Sequence, residues 1–142
     1  MIKILVVCKA NYCRSPVMEA LLNHYTHKEI SVASRGTMQF FKHGMDRRSL
    51  SYLKSLNIKP KKHYPTQLKP SDLDITNLIY AADNQIKKTI IEFYPVIKHK
   101  VFLYSDTDIE DPINLTDDLY LNLMKKIDED SKKLSEKLKN IF

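Results

Sequence analysis

An apolar run that ends on a cysteine constrains this chain most. Ile2-Lys3-Ile4-Leu5-Val6-Val7 leads into Cys8, and Lys9-Ala10-Asn11-Tyr12-Cys13-Arg14-Ser15-Pro16 follows. A continuous apolar run bounded by polar residues predicts a parallel strand buried on both faces. Ser15 reads as the cap of a helix and Pro16 as its first residue. Val17, Ala20, Leu21 and His24 or Tyr25 then recur at helical spacing, so the helix runs to about His27. Strand, tight loop and helix start aim backbone N–H groups and a positive dipole end at one point. Such a point suits a phosphate-like dianion. The same donors, with the fixed charge of Arg14, favour a thiolate at Cys8.

The rest of the chain reads as a support for that loop. Ile30–Ala33 is a second strand, and Ser34 to Met45 a loop holding Arg35-Gly36-Thr37 and Phe40-Phe41. Asp46 caps a helix whose stripe is Leu50, Leu53 and Leu56, ending near Asn57. Lys59 to Lys69 is a basic connection containing His63, and Ser71-Asp72-Leu73 starts a short helical turn. Asn77–Ala81 is a third strand. Asp83 caps a helix with Ile86, Ile90 and Phe93 on one face, closed by Pro95. Val101–Leu103 is a fourth strand, and Ser105 to Asn114 an acidic loop containing Asp111-Pro112. A long helix from about Asp117 carries Leu119, Leu123, Ile127, Leu134, Leu138 and Ile141. Strands alternating with helices predict a four-stranded parallel α/β sheet with helices on both faces. Right-handed crossovers bring the strand C-termini to one edge, where the site of an open sheet lies. Cys8, the loop after Ser34, Asp83 and the acidic loop therefore converge.

Length and composition bound the function. The 142 residues predict one domain with a real core, at 43% hydrophobic and 28% charged residues. No apolar run reaches the ~20 residues of a membrane span, and the N-terminus reads as a strand rather than a leader. A cytoplasmic protein is expected. The net charge of +6 lacks a basic stripe interleaved with aromatics, which argues against nucleic acid. Two cysteines, Cys8 and Cys13, make neither a disulfide framework nor a structural zinc site.

Phosphoryl transfer to a thiolate needs a nucleophile, a cradle for three oxygens, an acid for the leaving oxygen and a base for water. Cys8 is the candidate nucleophile. Lys9, Ala10, Asn11, Tyr12, Cys13, Arg14 and Ser15 form the candidate phosphate loop, with Arg14 a two-point clamp. The Ser15 hydroxyl is placed to donate to the Cys8 sulfur. Asp111, stiffened by the following proline, is the chosen acid and base, with Asp106, Asp108 and Glu110 as nearby competitors.

With these residues in view, the chain resembles the low-molecular-weight protein tyrosine phosphatases. That family's signature, Val-Cys-x-Gly-Asn-x-Cys-Arg-Ser-Pro, is matched by Val7, Cys8, Asn11, Cys13, Arg14, Ser15 and Pro16, and its late Asp-Pro by Asp111-Pro112. The resemblance spans the chain: Ser34-Arg35-Gly36-Thr37, Phe40 and Asp83 fall where the family has a small-residue loop, an aromatic pocket wall and an aspartate. It implies a sheet of order 2-1-3-4 and hydrolysis of phosphotyrosine through a phosphocysteine by Cys8, Arg14 and Asp111. It implies no metal or other cofactor. It also implies that Ser34 and His63 hold Asn11 in a left-handed conformation, and that Cys13 is a redox partner for Cys8. The implied partner is a phosphotyrosine protein, such as a cognate tyrosine kinase. The implied enzyme is a monomer inhibited by phosphate-like oxyanions, needing neither nucleic acid nor membrane. Three departures stand out. Ala10 replaces a glycine, which costs about 1 kcal/mol if φ is positive there. Ile113-Asn114 replaces a tyrosine after Asp-Pro, and Lys9 puts a cation at the pocket mouth. Lys9, Phe40 and Ile113 are thus the expected rim.

Three rivals fit less well. An arsenate reductase of this fold relays a disulfide through late cysteines, and none follows Cys13. A phospho-ligand binding module needs neither Cys8 nor Asp111. A nucleotide-binding protein wants a Gly-rich Lys-Ser/Thr loop that is missing.

Overall fold

Side-chain alternation along the first strand divides the protein into two cores. The computed structural model describes residues 1–142. Strand β1 (Ile2–Cys8) is buried from Ile4 onward. Successive side chains of a strand point to opposite faces, so Ile4, Val6 and Cys8 join one apolar cluster while Leu5 and Val7 join another. The first cluster is closed by α1 (Arg14–Tyr25), α2 (Arg47–Ser55) and α5 (Asp117–Ile141). The second is closed by α3 (Pro70–Asp74) and α4 (Asn84–Phe93). β2 (Ile30–Gly36), β3 (Leu78–Ala81) and β4 (Val101–Leu103) complete a parallel sheet of order β2-β1-β3-β4. This is the expected α/β topology. The register sets Cys8 opposite Gly36 and Val7 opposite Ala81, so all C-terminal ends share one edge. No helix is long and apolar enough to cross a membrane.

Several local boundaries differ from the sequence expectation. Cys13, not Ser15, is the N-cap of α1, so Ser15 lies in the first turn and its hydroxyl is free to serve the sulfur. Pro16 is then the third helical residue, where an N–H has no intrahelical partner to lose. The helix stops at Tyr25, because the backbone turns extended at Thr26, with φ −94° and ψ 168°. β2 runs three residues beyond Ala33: the Gly36 N–H donates to Thr66 and the Leu68 N–H donates to Gly36. That partner is a distant strap, Gly36 pairing with Gln67, which no local pattern reveals. α2 ends at Ser55, and Asn57 adopts φ 59° in the turn that follows. On α5 the buried stripe starts at Tyr120 rather than Leu119, which rotates Leu119 into solvent; Ile141 is exposed as well. Phe93, expected on the buried face of α4, is 73% exposed because the helix ends there, past the short strands that Ile86 and Ile90 cover.

Candidate active site

The loop between β1 and α1 owes its shape to one left-handed residue. Asn11 has φ 56°, a conformation that asparagine tolerates better than most residues. It is fully buried, and its side-chain polar atoms and its carbonyl oxygen all have partners. Its Nδ2 donates to Ser15 Oγ at 2.8 Å and to Ser34 Oγ at 3.0 Å. Its Oδ1 accepts from the Thr66 N–H at 2.9 Å, and His63 Nε2 lies 2.7 Å from its carbonyl oxygen. Strain of this kind persists only where the surroundings over-determine it. Ala10 has no positive φ, so the cost anticipated from its methyl group does not arise.

Gly36 was missed by sequence reasoning. A Cβ built there would stand 2.7 Å from Lys9 O, 2.9 Å from Asn11 N and 3.0 Å from Ala10 C, all backbone of the phosphate loop. Only a glycine lets β2 pass this close. Gly36→Ala is expected to displace the loop by several tenths of an ångström. It should lower kcat/KM at least about tenfold and stability by about 1–3 kcal/mol. Steady-state kinetics and urea unfolding check both, and wild-type values would contradict the packing argument.

The two cysteines have different surroundings. Cys8 Sγ lies 3.0 Å from Ser15 Oγ and lines a cleft of about 180 Å³. Cys13 also lines the cleft but is only 5% exposed, and its Sγ lies 3.9 Å from Asp46 Oδ2. Burial pushes its thiol up to about 12, although a hydrogen bond to Tyr120 opposes the shift and the Asp46 charge adds to it. At neutral pH Cys13 is a protonated thiol. Its carbonyl accepts from Ser49 Oγ at 3.0 Å, and that hydroxyl meets Tyr120 Oη at 2.5 Å.

Arg14 is 2% exposed and held at one nitrogen. Nη1 donates to Asp83 Oδ2 and to the Ile109 carbonyl, both at 2.7 Å. Nε and Nη2 are not consumed by protein acceptors, and the residue lines the cleft. The acid-bearing loop is thus fastened to the cation beside the cysteine. Of the four acidic candidates in that loop, Asp111 alone lines the cleft. Asp108 is committed elsewhere, accepting from the Asn84 N–H and Nδ2. Asp111 Oδ1 accepts from the Ile113 N–H at 3.2 Å, which fixes its carboxylate.

The rim contains Lys9, Phe40 and Ile113, together with Met38 and Tyr12. Tyr12 and Phe40 pack at a tilt of 53° with ring centroids 4.9 Å apart, and Lys42 Nζ stands 5.8 Å from the Tyr12 ring centroid. The aromatic wall therefore comes partly from the phosphate loop itself. Sequence reasoning placed Tyr12 in the loop without assigning it to the wall, because its contact with Phe40 needs the fold. A cysteine with a hydroxyl partner, a buried guanidinium, a helix start and a carboxylate around one cleft can receive and release a phosphoryl group.

Comparison with known proteins gives the same answer. The family described as low molecular weight phosphotyrosine protein phosphatase matches residues 3–141. The protein-tyrosine-phosphatase Wzb of Escherichia coli K12 is 31% identical over 107 residues, 75% of this chain and 72% of its own. A protein-arginine-phosphatase of Geobacillus stearothermophilus is 29% identical over 142 residues, 96% of this chain and 95% of its own. The solved structure of the YwlE arginine phosphatase from that organism superposes with a TM-score of 0.89 at 28% identity, covering 99% of this chain and 94% of its own. The chain belongs to the low-molecular-weight phosphotyrosine protein phosphatases, a family of cysteine-dependent phosphatases.

Proposed function

We propose that this protein hydrolyses phosphotyrosine in proteins through a phosphocysteine, residues 1–142 acting as one phosphatase domain. The observation that carries the reading is the cleft. Cys8, Arg14 and Asp111 line it, and Tyr12, Met38, Phe40 and Ile113 supply apolar surface for a phenyl ring. Cys8 Sγ attacks phosphorus with its lone pair while the bond from phosphorus to the ester oxygen breaks. Asp111 gives its proton to that oxygen. The phosphate-loop N–H groups and Arg14 hold the three remaining oxygens. Water then attacks the phosphocysteine, passes a proton to the Asp111 carboxylate, and the sulfur–phosphorus bond breaks. Phosphate leaves and the Ser15 hydroxyl supports the returning thiolate. Asn11, Ser34 and His63 keep the loop in shape for both steps.

The finer points belong to the same proposal. The enzyme works without metal, in the cytoplasm, as a monomer, on a phosphotyrosine protein such as a cognate tyrosine kinase, and phosphate-like oxyanions inhibit it. Under oxidants Cys13 attacks a Cys8 sulfenic acid with loss of water, giving a disulfide; its protonated thiol makes it the slower partner. Residues 30–71 hold nine Lys or Arg and one acidic residue, Asp46. With Lys9 and Lys42 at the cleft, this charge favours acidic residues beside the phosphotyrosine.

A second reading is hydrolysis of phosphoarginine, favoured by the extensive match to a protein-arginine-phosphatase. Against it, a guanidinium needs anionic partners along the cleft, where Asp111 is the single carboxylate and Lys9 a cation. Hydrolysis of matched phosphotyrosine, phosphoserine and phosphoarginine peptides in EDTA decides. Phosphotyrosine is expected to lead by at least about tenfold in kcat/KM. A lead for phosphoarginine replaces the substrate assignment, and dependence on added metal removes the metal-free mechanism.

A further inference from the structure

The proposed acid sits on a loop, and loops need fastening if a proton is to be delivered on line. One fastening is Ile109, fully buried, whose carbonyl binds Arg14 and whose N–H donates to Ala82. Beyond Asp111 the loop is gripped by a second arginine that belongs to neither the phosphate loop nor the acid loop. Arg48, in the first turn of α2, has a side chain only 20% exposed. Its guanidinium meets acceptors on every edge. Nε and Nη2 hold the two Asp46 oxygens at 3.1 and 3.2 Å. Nη1 donates to the Leu115 carbonyl at 2.8 Å and Nη2 to the Ile113 carbonyl at 3.2 Å. Asp117 stands 3.6 Å from Nη1, and the plane lies 4.0 Å over the Tyr120 ring.

Both ends of this brace reach the chemistry. The Asp46 N–H donates to the Tyr12 carbonyl, and its carboxylate accepts from the Cys13 thiol, so α2 is fixed to the phosphate loop. Ile113, held through its carbonyl by Arg48, gives its own N–H to the Asp111 carboxylate. We propose that Arg48 is a positioning residue that sets the Asp111 carboxylate relative to Cys8 by tying the acid loop to the phosphate loop. The inference rests on Asp111 being the acid. A lysine cannot do the same, because a single ammonium lacks the planar fork that spans Asp46 and two carbonyls. The pair also resists separation: burial raises the Asp46 pKa, but hydrogen bonds and charge from Arg48 outweigh that and leave it lowered.

A residue that positions the acid should matter in proportion to the need for acid. The test compares kcat/KM for phenyl phosphate, a poor leaving group, with that for 2,4-dinitrophenyl phosphate, a good one. In Asp111→Asn, kcat/KM for phenyl phosphate should fall by about 10²-fold or more while the dinitrophenyl ester is little changed. Arg48→Ala should show the same selectivity with a loss of about tenfold or more on phenyl phosphate. Competitive inhibition by inorganic phosphate should stay within about twofold of wild type. Arg48→Lys, which keeps a cation beside Asp46 and so guards against misfolding, should show the selective loss as well. Added to Asp111→Asn, Arg48→Lys should cost nothing further, since the two act as one unit. Equal losses on both esters, weakened phosphate inhibition, additive losses, or wild-type kinetics in Arg48→Lys would each overturn the proposal. Absence of selectivity in Asp111→Asn itself would instead remove the acid assignment, and the role of Arg48 with it.

Discussion

Replacing Cys8 by serine is expected to abolish turnover, by at least about 10⁴-fold in kcat, with the fold and phosphate binding preserved. The reason is chemical. The hydroxyl keeps the place of the thiol, 2% exposed and beside Ser15 Oγ at 3.0 Å. Serine, however, is a far weaker nucleophile without a neighbouring base, and no histidine contacts this position. The buried donors and Arg14 do not change, so the oxyanion still binds. Hydrolysis of p-nitrophenyl phosphate in EDTA, with phosphate binding by calorimetry, checks both halves. Normal activity in Cys8→Ser would falsify the phosphocysteine route. The companion residue should behave in the opposite way. Cys13 is buried and its thiol is pushed up to about 12, so iodoacetate at neutral pH should label Cys8 alone, and phosphate should block it.

Arg14→Lys is expected to lower kcat/KM by about 10³-fold and to weaken phosphate inhibition in parallel. The native guanidinium divides its labour. Nη1 is spent on Asp83 and the Ile109 carbonyl, both at 2.7 Å, which leaves Nε and Nη2 for two-point contact with an oxyanion. An ammonium can satisfy Asp83 or the phosphate, not both with this geometry. The loss should therefore appear in ground-state binding and in the transition state together. It should also loosen the acid loop, because Ile109 loses its donor. Kinetics with p-nitrophenyl phosphate and the inhibition constant of phosphate measure both effects. A lysine variant within about tenfold of wild type would show that charge alone suffices and that the fork does not matter.

These effects explain why some of the site was readable and some was not. Cys8, Arg14 and Ser15 lie within one strand-loop-helix unit, so their meeting needs only local geometry. Asn11, Ser34 and His63 were singled out through the family resemblance, and the fold supplies the bonds among them. Thr66, which completes the network through its backbone, carried no side-chain signal. Gly36 gave none either, since a glycine in a loop pattern looks like any other until a second backbone lies within 3 Å. Tyr12 as a wall depends on Phe40, 28 residues away, and Arg48 as a brace on carbonyls 65 and 67 residues away. Single-residue offsets, such as Tyr120 displacing Leu119 from the buried stripe, arise because helix rotation is set by packing rather than by periodicity alone.

What the sequence determined by itself is the order of strands and helices and the composition of the phosphate loop. Both follow from short-range rules: apolar runs pair as buried strands, and a helix start gathers N–H groups around the residue before it. Only the tertiary structure decided which loop carboxylate shares a cleft with the cysteine, which arginine grips the loop that carries it, and which rings wall the cleft. Those choices turn on distances between segments far apart along the chain. Such distances are fixed by the strand order β2-β1-β3-β4 and by two cores packing on opposite faces of one sheet.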